Sequence, residues 1–129
     1  MSHSLRSTKI LTAALFVSAA FAGCAQAQDA ADGEALFMQS CAICHNAAEG
    51  AMHKIGPNLW GVFGKTSGMA EGYMYSPAMA GAGLTWDEAT LAEYLDSPAT
   101  VVPGTKMGFP GFETDEDEAN MIAYLESLQ

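Results

Sequence analysis

Apolar positions fall along this chain in two different ways. From Ile10 to Ala22 they are nearly continuous; past residue 30 they recur every three or four residues, in stretches separated by glycine and proline. The recurring pattern predicts helices. In DGEALFMQSCAICH, Asp32 caps a helix that carries Leu36, Phe37, Cys41 and Cys44 on one side. Ser76 and Pro77 open a short helix in SPAMAG, as cap and first helical residue. Thr85 and Glu88 form a capping box ahead of Leu91, Tyr94 and Leu95, and Pro98 stops that run. Thr114 opens the last helix, with four acids (Asp115 to Glu118) where the helix dipole favours negative charge. Met121, Ile122, Leu125 and Leu128 make its apolar stripe.

No stretch alternates long enough to be a strand. The segments between helices are loops punctuated by Gly56-Pro57, Gly61, Gly64, Gly68, Gly72, Pro103-Gly104 and Pro110-Gly111. The expected fold is a small all-α single domain with long ordered loops. With so much loop its own core is thin, and a large apolar cofactor would fill it.

The continuous apolar run has another meaning. Arg6 and Lys9 precede it and Ala25-Gln26-Ala27 follows it, the layout of a cleavable signal peptide over residues 1–27. It is shorter than the roughly 20 residues a membrane-spanning helix needs. Cleavage after Ala27 leaves residues 28–129 as the exported domain. The minor alternative is a lipoprotein signal with Cys24 as the lipidated residue, although Phe21 stands where an aliphatic residue is usual.

Past Ala27 three lysines stand against fifteen acids, a formal charge of −12. So negative a domain excludes nucleic acid and anionic membrane surfaces as partners. Two cysteines remain, Cys41 and Cys44. A disulfide between them would close a very small loop and stabilise little.

The pentapeptide Cys41-Ala42-Ile43-Cys44-His45 offers better chemistry. A haem presents two vinyl groups to which thiols add, and an iron that binds imidazole. Two cysteines three apart on a helical turn project to one side and meet both vinyls, and the next residue places its ring toward the iron. A thioredoxin-like redox pair would need a βαβ setting, and a zinc site would need a fourth ligand, for which only His53 is at hand. The reading is one covalently bound haem c. The second axial ligand stays open between His53 and seven methionines: Met38, Met52, Met69, Met74, Met79, Met107 and Met121. His53 lies close to His45 in sequence, and Met121 belongs to a core stripe. Met107 sits in VVPGTKMGFPGF, a loop stiffened by Pro103 and Pro110, 62 residues past His45.

These motifs together resemble the class I cytochromes c of the mitochondrial and bacterial short-chain type. CAICH, GPNLWGVFGK, GYMYS, GLTW, LAEYL and VPGTKMGF follow one another in the family's order across Gly33 to Leu128. The resemblance implies a haem packed edge-out between the first and last helices, with His45 and Met107 as axial ligands. It further implies that the Pro57 carbonyl accepts from His45 Nδ1–H. By the same resemblance Tyr75 and Trp86 hydrogen-bond the propionates, Lys65 neutralises one, Tyr94 lies near the methionine sulfur and Phe109 lies at the exposed haem edge. Gly33, Phe37 and Tyr124 are expected where the terminal helices meet. The chain departs from the family at Met79, where many relatives carry asparagine, and in lacking most of the mitochondrial lysines, with Lys54 and Lys106 left near the haem edge.

The function expected on this basis is a soluble, monomeric periplasmic electron carrier, not an enzyme. It would shuttle electrons between redox proteins such as quinol–cytochrome c oxidoreductase and a terminal oxidase. The alternatives are an electron-transfer subunit bound to a larger oxidoreductase, or a haem peroxidase or gas binder with a labile methionine. Docking by whole-molecule charge would make turnover fall steeply with salt; a flat or rising rate would leave a local patch around Lys54, Lys106 and Phe109.

Overall fold

The computed structural model describes residues 28–129; residues 1–27, over which a signal peptide is expected, and Cys24 with them, lie outside the described residues. Helix α1 (Ala30–Leu36) runs into a π-helical turn (Phe37–Cys41), followed by α2 (Pro77–Ala80), α3 (Glu88–Asp96), α4 (Pro98–Val101) and α5 (Asp115–Ser127). Among the described residues there is no strand, only an isolated bridge between Thr66 and Thr85. The all-α expectation holds.

Crossing of α1 and α5 is the foundation of the domain. A Cβ at Gly33 would overlap the Asn120 carbonyl oxygen and come within 2.7 Å of Tyr124 Cβ, so only glycine lets the two backbones lie this close. One turn on, the rings of Phe37 and Tyr124 pack with centroids 5.5 Å apart. Asn120 is buried beside them, and its Oδ1 accepts from the Asp29 N–H at 2.8 Å, tying the start of α1 to the middle of α5. On α5, Met121, Ile122 and Leu125 are buried, and Leu91, Tyr94 and Leu95 of α3 join the same core. Each aliphatic side chain so buried contributes about 1.5–3 kcal/mol of transfer free energy.

Several helix starts differ from the pattern-based expectation. The N-cap of α1 is Asp29, not Asp32: the Asp29 carboxylate accepts from the N–H groups of Ala31 and Asp32, which puts Asp32 inside the first turn. The N-cap of α3 is Asp87, whose Oδ1 accepts from Thr90 N–H at 2.9 Å, and there is no Thr85–Glu88 capping box. Thr85 is drawn instead into the bridge with Thr66. Pro98 does not merely stop α3, which ends at Asp96; it is the first residue of α4. The expected starts at Ser76 and Thr114 are present, each side-chain oxygen accepting from a backbone N–H three residues on.

Loops are pinned to this frame by backbone bonds. Gly61 N–H donates to the Leu128 carbonyl at 2.6 Å, Gly64 N–H to Trp86 at 2.8 Å, and Ser67 N–H to Leu84 at 2.7 Å. Residues 61–67 therefore lie along the segment that leads into α3 and against the end of α5.

Candidate functional site

The Cys41–His45 motif begins where the first helix widens. Ala42 N–H donates to the Phe37 carbonyl at 2.8 Å, a π-type bond, so the chain enters Cys41 one residue out of α-helical register. The next turn is tight. Cys44 N–H and His45 N–H both reach the Cys41 carbonyl, at 3.0 and 2.9 Å, which sets Cys41, Cys44 and His45 on a single turn. The turn expected for the two thiols is thus present, although it is not a continuation of α1.

Both cysteines are half-buried and free of any disulfide. Burial, with Cys44 beside it, pushes the Cys41 thiol up to about 11. A thiol–disulfide exchange pair needs an attacking thiol of lowered pKa, and Cys41 does not suit that role.

His45 is oriented from two sides. Its Nδ1 lies 2.7 Å from the Pro57 carbonyl oxygen, which can only accept, so Nδ1 carries the hydrogen and Nε2 keeps its lone pair. Gly56 lies against the ring: a Cβ there would overlap His45 Cε1 and stand 2.6 Å from Nδ1. The Gly56 N–H donates to the Cys44 carbonyl at 2.8 Å, which fixes this loop on the motif. Burial, above all, holds the His45 pKa below the ordinary histidine value; nearby Lys54 acts the same way, and the bond to Pro57 only partly opposes them. Neutral imidazole with a free Nε2 is the form that ligates a metal.

The methionines separate by exposure. Met79 and Met121 are buried in the core, whereas Met38, Met52, Met69 and Met74 are 65–82% exposed. Met107 alone is half-buried, packed against the same core cluster as Cys41. Its loop is held by a short relay: Tyr94 Oη and Thr105 Oγ1 are 2.9 Å apart, and Met107 N–H donates to Thr105 Oγ1 at 3.3 Å. Burial raises the Tyr94 pKa, and the bond to Thr105 partly offsets that. Trp86 packs on Tyr94 with ring centroids 4.9 Å apart, and its backbone N–H donates to the Lys65 carbonyl at 2.8 Å. In the sequence, Thr105 is marked only by its position two before Met107. Thr105→Val should leave the Tyr94 hydroxyl unpaired and cost about 1–3 kcal/mol in equilibrium denaturation of the haem-loaded protein. A loss under about 0.5 kcal/mol, the range of an ordinary surface change, would mean the relay does not hold the loop.

The remaining candidates are spread around this frame. The Tyr75 hydroxyl accepts from Ala70 N–H at 3.3 Å, which leaves its own hydrogen available to donate. Phe109 is half-buried and packs edge-on against Phe112, centroids 4.9 Å apart. The Lys65 side chain is exposed. Lys54 and Lys106 are each tied to backbone, donating to the Ala42 carbonyl at 2.6 Å and the Met74 carbonyl at 2.8 Å. His53 accepts from Asn58 N–H at Nδ1 and donates from Nε2 to the Glu71 carbonyl, both at 2.9 Å, so neither nitrogen is free for a metal. At the variant position Met79 is buried apolar core and brings no polar side chain to this region.

The donor set fits a haem c: two unbridged thiols on one turn, an imidazole with its Nε2 free, and a thioether in a braced loop. A family model described as cytochrome c matches residues 30–129. Cytochrome c from Chlamydomonas reinhardtii is 50% identical over 101 residues, covering 78% of this chain and 90% of that protein. Cytochrome c from Nigella damascena is 46% identical over 101 residues, 78% of this chain and 91% of its own. Cytochrome c2 from Blastochloris viridis is 45% identical over 114 residues, with coverages of 88% and 89%.

Proposed function

This chain belongs to the cytochrome c family, and from that premise we propose that it is an electron carrier, not an enzyme, working between redox proteins in the periplasm. A haem c supplies one-electron Fe(III)/Fe(II) chemistry when bound. The chain's own part is to hold that group, close both axial positions and present an edge to partners. The observation that carries the reading is His45, held with Nδ1–H on the Pro57 carbonyl and its ring against Gly56, directly after two unbridged thiols. On this reading Cys41 and Cys44 attach the group, His45 and Met107 ligate the iron, and Tyr75, Trp86 and Lys65 serve the propionates. Tyr94 steadies the Met107 loop through Thr105, and Phe109 marks the side where electrons leave.

A site closed on both faces leaves no position for a substrate. The test is carbon monoxide added to the ferrous protein: the expected result is an unchanged absorption spectrum, and rapid, complete binding would favour a gas binder or peroxidase instead. Export to the periplasm is supported by the signal-like pattern of residues 1–27, and no described helix is long and apolar enough to cross a membrane.

Charge is divided unevenly, and this bears on partners such as a quinol–cytochrome c oxidoreductase or a terminal oxidase. All the acids except Glu49 and Glu71 lie on or beside α1, α3 and α5, while all three lysines past Ala27 lie in the loops that carry the site. A basic partner would therefore be drawn to the helices rather than to the loop face. Docking through that near-neutral face predicts electron-transfer rates with a partner oxidase that change little between low and high salt. A rate that fell steeply with salt would assign docking to the acidic helices.

A further inference from the structure

One peptide group touches both histidines of the described domain. The Pro57–Asn58 peptide accepts at its carbonyl from His45 Nδ1–H, at 2.7 Å, and donates its N–H to His53 Nδ1, at 2.9 Å. The hydrogen positions are forced. Because an N–H points at it, His53 Nδ1 is unprotonated, and Nε2 carries the hydrogen given to the Glu71 carbonyl at 2.9 Å. Tyr73 packs edge-on against the His53 ring, centroids 5.5 Å apart, and donates its own hydroxyl to the Ile55 carbonyl. The ring is thus held by the loop carrying Glu71 and Tyr73 and aimed at the peptide that orients His45.

We propose that His53 is a positioning residue for the axial imidazole, acting through this single peptide group; the inference rests on His45 being the iron's ligand. A peptide is polarisable, and hydrogen bonds in a chain strengthen one another by about 10–30% per bond. An acceptor on the Asn58 N–H shifts electron density toward the Pro57 oxygen. That oxygen then binds His45 Nδ1–H more strongly, which makes the coordinating Nε2 more basic. A more electron-rich imidazole favours the ferric state, so His53 holds the reduction potential down. A residue that only clamps two loops would contribute stability without touching the potential.

The experiment uses the haem-loaded full domain and two readouts: the reduction potential, and the proton shift of His45 Nδ1–H in the diamagnetic ferrous protein. His53→Leu should raise the potential and move that proton upfield. His53→Gln, whose oxygen can accept from Asn58 and whose amide can donate to Glu71, should bring both back toward the native values. Tyr73→Phe is the control: it removes the other tie between the loops, and should lower stability while leaving both readouts in place. A folded His53→Leu protein with native potential and native proton shift overturns the proposal. Should that variant not fold, the ¹⁵N-labelled native protein decides: coupling across the Asn58 N–H···Nδ1 His53 bond supports the relay, and its absence overturns it. A His45 ring lacking the shifts of an iron-bound imidazole would overturn the ligand assignment as well, which separates the two failures.

Discussion

Met107→Ala is expected to convert the protein from a closed electron carrier into a ligand-binding haem protein. The thioether favours the ferrous iron, so its loss should lower the reduction potential by at least about 59 mV, tenfold in a one-electron equilibrium. Carbon monoxide should then bind the ferrous form readily. The reason lies in the side chains around it: of the other described methionines, Met79 and Met121 are locked in the core and the rest stand more than 60% exposed. His53 has both nitrogens engaged. No side chain identified as a candidate is placed to replace the thioether. Potentiometric titration with a carbon monoxide difference spectrum checks this, and a variant that kept its potential and excluded carbon monoxide would assign the ligand elsewhere.

The second large effect is structural. Gly33→Ala in an exposed helix would be favourable by up to about 1 kcal/mol on propensity alone. Here the added methyl meets the Asn120 carbonyl oxygen, which is backbone within α5 and cannot rotate away, and Tyr124 Cβ at 2.7 Å. The helices must separate, which weakens the Phe37–Tyr124 contact and the Asp29–Asn120 bond together. The expected cost is about 3 kcal/mol, the upper end of overpacking penalties, and for a domain of this size a fall in Tm of more than about 10 °C. Calorimetry of the haem-loaded variant measures it. A Tm within a few degrees of native would show that the α1–α5 crossing does not govern stability.

Much of this was legible in the sequence, for local reasons. Ser76-Pro77 and Thr114 are capped by their own side chains three residues on, so nothing distant could override them. The stripe on α5 buries the residues its spacing predicts. Local competition misled elsewhere. Asp29 and Asp32 are both acceptable caps, and what favours Asp29 is a bond to Asn120, 91 residues away. Thr85 fits a capping box, but Thr66 takes it into a bridge. The π turn before Cys41 inserts one residue that a three-and-four periodicity cannot register. At the site, the thiols and histidine declare themselves by adjacency. Gly56 does not, because what requires glycine there is the ring of a residue eleven positions earlier. Nor does His53: it is half-buried with two backbone partners, neither visible from spacing.

The most direct test of the central claim, a haem closed by His45 on one face and Met107 on the other, is the absorption spectrum of the ferric protein at neutral pH. It should show the weak far-red band that reports methionine sulfur on haem iron, and the band should vanish in Met107→Ala. An intact ferric protein without that band would have an open or differently ligated iron, and the account of a closed electron carrier would be wrong.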